Sequence, residues 1–331
     1  MSQIQVMITT LNIENFRLFQ HLEISSLARV NLFAGKNNCG KTALLEALRI
    51  LGAGEDVSVM RYIVEQRGES VLNPWELYDS FFYRPELEKK LLNLQDHLTF
   101  RINEFRCERH FQGDRNVFYY VGSHENRQED ALKLTFQIQD IKTPRDKFIY
   151  VPFSASEYFP LGYYWDKIAL TPREDKVIQI LQDTLLPNLV RLDVQQNNRI
   201  MVRLKDEERP IPLKNLGDGA QRMLVMAIAL VMAKDNVLLI DEMETGLHYS
   251  VLEKIWEIIF KYSQELNVQV FATTHSQDAL RAFTYVLEKP ENSSEGVFFR
   301  LQQNRKDGHI EAVRYEPESL ELSLESNLDP R

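Results

Sequence analysis

Gly35-Lys36-Asn37-Asn38-Cys39-Gly40-Lys41-Thr42 lies between a short apolar run at 30–34 and a stretch with leucines at helical spacing, Leu44, Leu45, Leu48 and Leu51. The segment fits G-x-x-x-x-G-K-[ST], and that motif carries its meaning only after a strand and before a helix, as here. The glycines let backbone amides curl around a phosphate, and the helix N-terminus adds its positive dipole. Lys41 can reach the outer phosphates of a nucleotide, and the Thr42 hydroxyl can hold Mg²⁺. A phosphate-binding α/β fold is the first expectation.

Towards the N-terminus, 7–13 and 22–24 are apolar-rich and predict strands. Towards the C-terminus, 54–95 mixes helical pieces with turn signals at Asn73-Pro74 and Arg84-Pro85. LTFRINEF (98–105) and ALKLTFQIQD (131–140) alternate as half-buried antiparallel strands do, and so do LVRLDVQQ (189–196) and RIMVRLKD (199–206). A helix is predicted over 173–185. The pattern changes after 220. An almost wholly apolar helix (220–233) and a continuous apolar run (237–240) are followed by an amphipathic helix (251–262) and a second apolar run (268–272). Helix, strand, helix, strand in this order predicts βαβ units on a parallel sheet. A strand–turn–strand–helix tail is expected over 297–324.

Asp241 and Glu242 stand at the end of the first buried run, where open α/β sheets bind ligands. Asp241 is expected to hold Mg²⁺ through water, and Glu242 to orient and deprotonate an attacking water. A strand that simply turns polar at the surface is the plainer alternative. His275 follows the second run in Thr273-Thr274-His275-Ser276. Parallel strands joined by one helix place their C-terminal ends side by side, so His275 should lie near Glu242 and reach a γ-phosphate. The competing reading gives Ser276 a helix-capping role and His275 none. Leu216-Gly217-Asp218-Gly219-Ala220-Gln221-Arg222, just before the buried helix, offers a second amide-lined helix start able to take phosphate.

Composition sets the limits. The chain has 331 residues, with hydrophobic residues at 44% and aromatic residues at 10%. It can therefore bury a large core, which excludes a disordered or disulfide-stapled protein. The 48 acids against 39 bases give a net charge of −9, which excludes a basic nucleic-acid coat. Cys39 and Cys107 form neither a disulfide framework nor a Cys-x-x-Cys metal site. The N-terminus lacks the layout of a secretory signal, and the longest apolar stretch, 223–233, is shorter than the roughly 20 residues of a membrane span. A soluble protein of the cytoplasm, away from membranes, is expected. Arg101, Arg106, Arg109, His110 and Arg115 concentrate base. Because they do not share one parity along the chain, a solvated hairpin is preferred to a DNA contact. Asn292-Ser293-Ser294 is read as a surface turn, and Cys39 as a small space-filling residue.

Taken together, GKNNCGKT, LGDGAQR, VLLIDEMETGLH and ATTHS resemble the ABC-class ATPases, and more narrowly the RecF- and OLD-like branch, OLD being the overcoming-lysogenisation-defect group. The opening ITTLNIENFRLF resembles the first strand of that branch, whose Asn-Phe-Arg segment, here Asn15-Phe16-Arg17, lies near the nucleotide. The resemblance covers about 7–52 and 212–324; the middle of the chain matches no motif. It implies a P-loop NTPase fold of ABC type, with a mixed sheet, an antiparallel lobe and a helical/antiparallel insertion. It also implies ATP with Mg²⁺, sandwiched in a head-to-tail homodimer between the loop Gly35–Thr42 of one copy and Gly217, Asp218 and Gly219 of the other. Gly217 stands where transporters have serine, and His248 where they have an acid. The Q-loop glutamine has four candidates: Gln137, Gln139, Gln179 and Gln182.

On this reading, 1–331 is one ATPase domain. Its core is 1–52 and 187–290, an insertion and helical lobe occupies 53–186, and a tail 291–331. The expected function is ATP hydrolysis that drives an effector such as a nuclease in phage defence. The stretch 276–331, after His275, is too short for the TOPRIM domain of full OLD proteins, so a separate TOPRIM or HNH nuclease partner is expected. The alternatives are an ATP-dependent DNA clamp in repair, and a transporter subunit, which the layout between Thr42 and Asp241 disfavours.

Overall fold

The computed structural model describes residues 7–53, 58–68, 80–82, 97–102, 105–112, 115–121, 132–133, 148–153, 159–195, 199–205, 207–304 and 307–315. A hairpin, β1 (Leu11–Phe16) and β2 (Phe19–Ile24), is followed by β3 (Val30–Ala34), α1 (Lys41–Ala53) and α2 (Ser58–Gln66). Then come β4 (His97–Ile102), β5 (Phe105–Gln112), β6 (Arg115–Val121), β7 (Leu132–Lys133) and β8 (Ile149–Val151). Helices α3 (Leu161–Ile168) and α4 (Pro172–Thr184) precede β9 (Leu189–Val194), β10 (Ile200–Leu204) and β11 (Ile211–Pro212). The remainder is α5 (Asp218–Met232), β12 (Val237–Ile240), α6 (Leu252–Glu265), β13 (Gln269–Thr274), α7 (Gln277–Leu287), β14 (Gly296–Gln303) and β15 (Ile310–Tyr315).

The central sheet has the order β15-β14-β3-β13-β12-β8, with every neighbouring pair parallel except β14 and β15. Its inner strands β3, β13 and β12 are buried along their whole length because both faces are covered, and side chains alternate between two cores. Leu32, Leu238, Ile240, Val270 and Ala272 face one core with α5, α6 and α7. Phe33, Val237, Leu239, Phe271 and Phe299 face the other, with α1 and the β1–β2 hairpin. There Phe33 stacks on Phe271 with ring centroids 6.4 Å apart. It also stacks on Phe299 at 5.3 Å, so one ring ties β13, β3 and β14 together. An antiparallel sheet, β2-β1-β4-β5-β6-β7, forms the second lobe, and β11-β10-β9 a third small sheet.

Two expectations meet a different arrangement. The first strand begins at Leu11 rather than residue 7, because Ile8 is bound from both sides by the buried Gln269 side chain (2.9 and 2.8 Å). Within the stretch read as insertion, β8 enters the central sheet beside β12. In the antiparallel sheet, Arg101 pairs with Arg106 and Arg115 with Gln112. These registers belong to the antiparallel hairpins β4–β5 and β5–β6, the arrangement expected for this stretch. The expected strand over 131–140 and the helix expected to end at 324 fall largely outside the described residues, as do Gln137, Gln139, Asn73 and Pro85.

Candidate active site

β3 delivers the chain into the loop Gly35–Gly40, and α1 leaves it. Gly35 is packed against the Cys39 sulfur and the Leu301 carbonyl so closely that a Cβ would collide with both. Gly40 has φ +95°, and a Cβ there would lie 2.6 Å from the ring of Phe19; Asn38 takes a left-handed turn at φ +66°. Lys41 is buried, and its Nζ donates to the carbonyls of Gly35 (2.7 Å) and Lys36 (3.1 Å), so the ammonium is held inside the loop's curl. Burial pushes the Cys39 thiol up, which keeps it protonated and fits the space-filling reading.

Asp241 follows β12 and is 2% exposed. Its Oδ1 accepts from Thr273 Oγ1 (2.6 Å), and its Oδ2 from Thr42 Oγ1 (3.3 Å) and the Tyr150 hydroxyl (3.4 Å). Burial raises its pKa, against the pull of these hydroxyls and of Lys41. Burial likewise raises Tyr150, keeping the phenol a donor. Glu242 turns away from the strand at φ +45°, with its amide donating to Thr273 Oγ1 (2.9 Å) and its carboxylate half-buried. Thr273 thus holds Asp241 and Glu242 in fixed relation.

β13 is parallel to β12, with Ile240 opposite Ala272, and this brings His275 to the acids. His275 Nδ1 lies 3.5 Å from Glu242 Oε1 and 3.1 Å from Glu244 Oε1. Ser276 does cap α7, accepting from the Ala279 amide at 3.3 Å, so the capping role and the histidine's placement coexist.

Gly217 begins α5 at φ +94°, and neither it nor Gly219 would bring a Cβ within 4 Å of any atom. Among the described residues, no hydrogen bond or ion pair joins Gly217, Asp218 or Gly219 to the phosphate loop of the same chain. One turn into α5, Arg222 is buried and donates to the carbonyls of Pro152 (3.0 Å), Asp241 (3.4 Å) and Glu242 (3.4 Å). Desolvation lowers its pKa to about 10, so it stays charged at neutral pH.

The structure therefore assembles Gly35 to Thr42, Asp241, Glu242 and His275 at one edge of the sheet and leaves Gly217–Gly219 apart. Arg17 is committed to Glu46 on α1 (3.0 Å) and the Ser80 carbonyl (3.1 Å). Two Q-loop candidates lie on α4: Gln182 donates to the Leu189 carbonyl at 2.6 Å and Gln179 accepts from Lys176 at 2.8 Å. Thr273, Glu244, Arg222 and Tyr150 were not anticipated as site residues. The first three lie in motifs already noted; Tyr150, on a three-residue strand, had no local signal.

A phosphate loop between β3 and α1, acids ending the strand two places away and a histidine ending the strand between them are the layout of an ABC-type P-loop ATPase fold. Residues 30–282 match the family described as "AAA domain, putative AbiEii toxin, Type IV TA system", and the chain belongs to that family. A Helicobacter pylori protein named ATP/GTP phosphatase is 22% identical over 369 residues, covering 97% of this chain and 98% of that one. A DNA replication and repair protein RecF from Nitrosococcus oceani is 41% identical over 56 residues, 17% of this chain and 15% of RecF. An Smc head solved with the C-winged helix domain of ScpA has the same fold, with a TM-score of 0.55 at 12% identity over 96% of this chain and 99% of that one.

Proposed function

We propose that this protein binds ATP with Mg²⁺ and hydrolyses it, and that ATP joins two copies head to tail to drive an effector. The observation that carries the reading is the Thr42–Asp241 contact, with Glu242 and His275 alongside. The buried Asp241 carboxylate lies 3.3 Å from the Thr42 hydroxyl. Two such hard oxygens side by side suit Mg²⁺. Thr42 and Asp241 would hold that ion, which when bound neutralises phosphate charge. Lys41, already inside the loop, would meet the phosphates. Glu242, half-buried on a backbone fixed by Thr273, would orient a water and take its proton on the carboxylate. His275 would hold the far end of the phosphate chain.

Gly217 to Gly219 form an open helix start that no group of the same chain covers among the described residues, which suits a phosphate held by a second copy. The relative's name, ATP/GTP phosphatase, supports hydrolysis, and the family's toxin description supports a defence role; the effector of this reading is a separate nuclease of TOPRIM or HNH type. A DNA clamp is the second reading, favoured by the alignment of Arg101 with Arg106.

The test is Mg²⁺-dependent phosphate release. Lys41→Ala should abolish nucleotide binding; Glu242→Gln should still bind ATP while losing about 10²–10⁴-fold in rate. Light scattering on Glu242→Gln with ATP should show dimers, and Gly217→Glu should remove them without loss of ATP binding. Tight analogue binding by Lys41→Ala would refute the site, and monomers throughout would refute the sandwich. DNA binding that needs ATP and fails in Arg101→Glu/Arg106→Glu would favour the clamp.

A further inference from the structure

Glu244 lies outside the residues with a direct part in the proposed hydrolysis, yet its carboxylate makes three contacts with the segment that ends β13. Only 11% of its side chain is exposed. Oε2 accepts from Thr274 Oγ1 at 2.8 Å. Oε1 accepts from the His275 backbone amide at 2.9 Å and lies 3.1 Å from His275 Nδ1. One carboxylate therefore grips the backbone, the neighbouring hydroxyl and the ring of the segment that ends β13. Thr274 in turn accepts from the Ser276 amide at 3.0 Å, so the grip extends to the cap of α7.

We infer that Glu244 is a positioning residue, fixing His275 with the Nδ1 proton directed at the acids and the Nε2 edge turned away from them. A carboxylate can only accept. An unprotonated Nδ1 would set two lone pairs against each other at 3.1 Å, so the contact requires a proton on Nδ1. The bond to the amide fixes where the ring starts, and the bond to Nδ1 fixes how it is rotated; two restraints from one group leave the imidazole little freedom. Glu242, at 3.5 Å from the same nitrogen, makes a longer contact, and its Oε2 accepts from Thr245 Oγ1 at 3.4 Å. This inference rests on the hydrolytic reading for its consequence in turnover but not for its geometry.

The experiment labels the histidine ring nitrogens with ¹⁵N in the nucleotide-free protein and identifies His275 by the resonances lost in His275→Asn. Wild type should show a protonated Nδ1 in one fixed state, and Glu244→Ala should move those shifts to the averaged values of an exposed histidine. In turnover, Glu244→Ala should lower kcat by about ten- to a hundred-fold, the scale seen when metal-bound histidines lose the carboxylate that orients them, with KM for ATP within about twofold. In a His275→Asn background, Glu244→Ala should have almost no further effect, since both act through one group. Unchanged nitrogen shifts, or the same fractional loss in both backgrounds, would overturn the inference. If wild type does not hydrolyse ATP, the hydrolytic reading fails while the nitrogen shifts still decide the role of Glu244. Should Glu244→Ala not fold, Glu244→Gln, which keeps an acceptor but not the charge, should move the shifts in the same direction by less.

Discussion

Thr273→Val is the most incisive single perturbation of the site, since it changes one hydroxyl into a methyl within a buried strand. Both side chains are β-branched and suit β13, so propensity and shape are kept. The hydroxyl makes two bonds, donating to Asp241 Oδ1 at 2.6 Å and accepting from the Glu242 amide at 2.9 Å. A hydrogen bond to a charged group contributes about 1.5–3 kcal/mol, and an orphaned amide adds about 1 kcal/mol. The expected loss is therefore about 2.5–4 kcal/mol. For a chain of this size that is a fall in Tm of about 4–6 °C. Urea denaturation of wild type, Thr273→Val and Thr273→Ser measures it. Serine keeps the hydroxyl and loses only a methyl, so it should retain most of the stability. The loss from Thr273→Val should also shrink by about 1 kcal/mol or more when Asp241 is already Asn, because the charged acceptor has gone. A loss under about 0.5 kcal/mol, or serine no better than valine, would refute the idea that this hydroxyl holds the two acids.

Other expectations concern the same edge of the sheet. Asp241→Asn should stabilise the protein without nucleotide at about pH 7.5, since burial raises the folded-state pKa; the native state then favours the proton, and the ionised carboxylate costs stability above that pKa. The advantage should fade as pH falls and Asp241 takes its own proton; calorimetry from about pH 4 to 8 checks this, and an Asn variant less stable than wild type at about pH 7.5, or an advantage that does not shrink as pH falls, would refute it. Gly40→Ala should abolish tight nucleotide binding and cost about 2 kcal/mol or more, given φ +95° and the collision with Phe19, as fluorescence titration and denaturation can show. Arg222→Met fills similar volume but releases three carbonyls; it should lower turnover about tenfold or more by loosening the Asp241–Glu242 turn, while leaving analogue affinity nearly unchanged. Equal loss in affinity would place Arg222 in binding instead.

What the sequence by itself determined is local: the loop Gly35–Thr42, whose glycines answer a backbone need at Gly40 and Gly35, and the apolar runs ending at Ile240 and Ala272, which had to be strands covered on both faces. From helix–strand alternation alone, Glu242 and His275 could be placed side by side. The tertiary structure decided what holds them there. Thr273 meets Asp241, far from it in sequence, and Glu244 meets His275 in the same way. Both meetings depend on a register in which Ile240 faces Ala272; a slip by a single position would turn Thr273 to the opposite face. Tyr150 reaches Asp241 only because β8 crosses from the middle of the chain into the central sheet, and Arg222 because α5 packs over the ends of β8 and β12. Composition and spacing report which face a residue takes, but not which distant residue shares that face, because strand pairing is fixed by the packing of whole elements and not by any one segment's pattern.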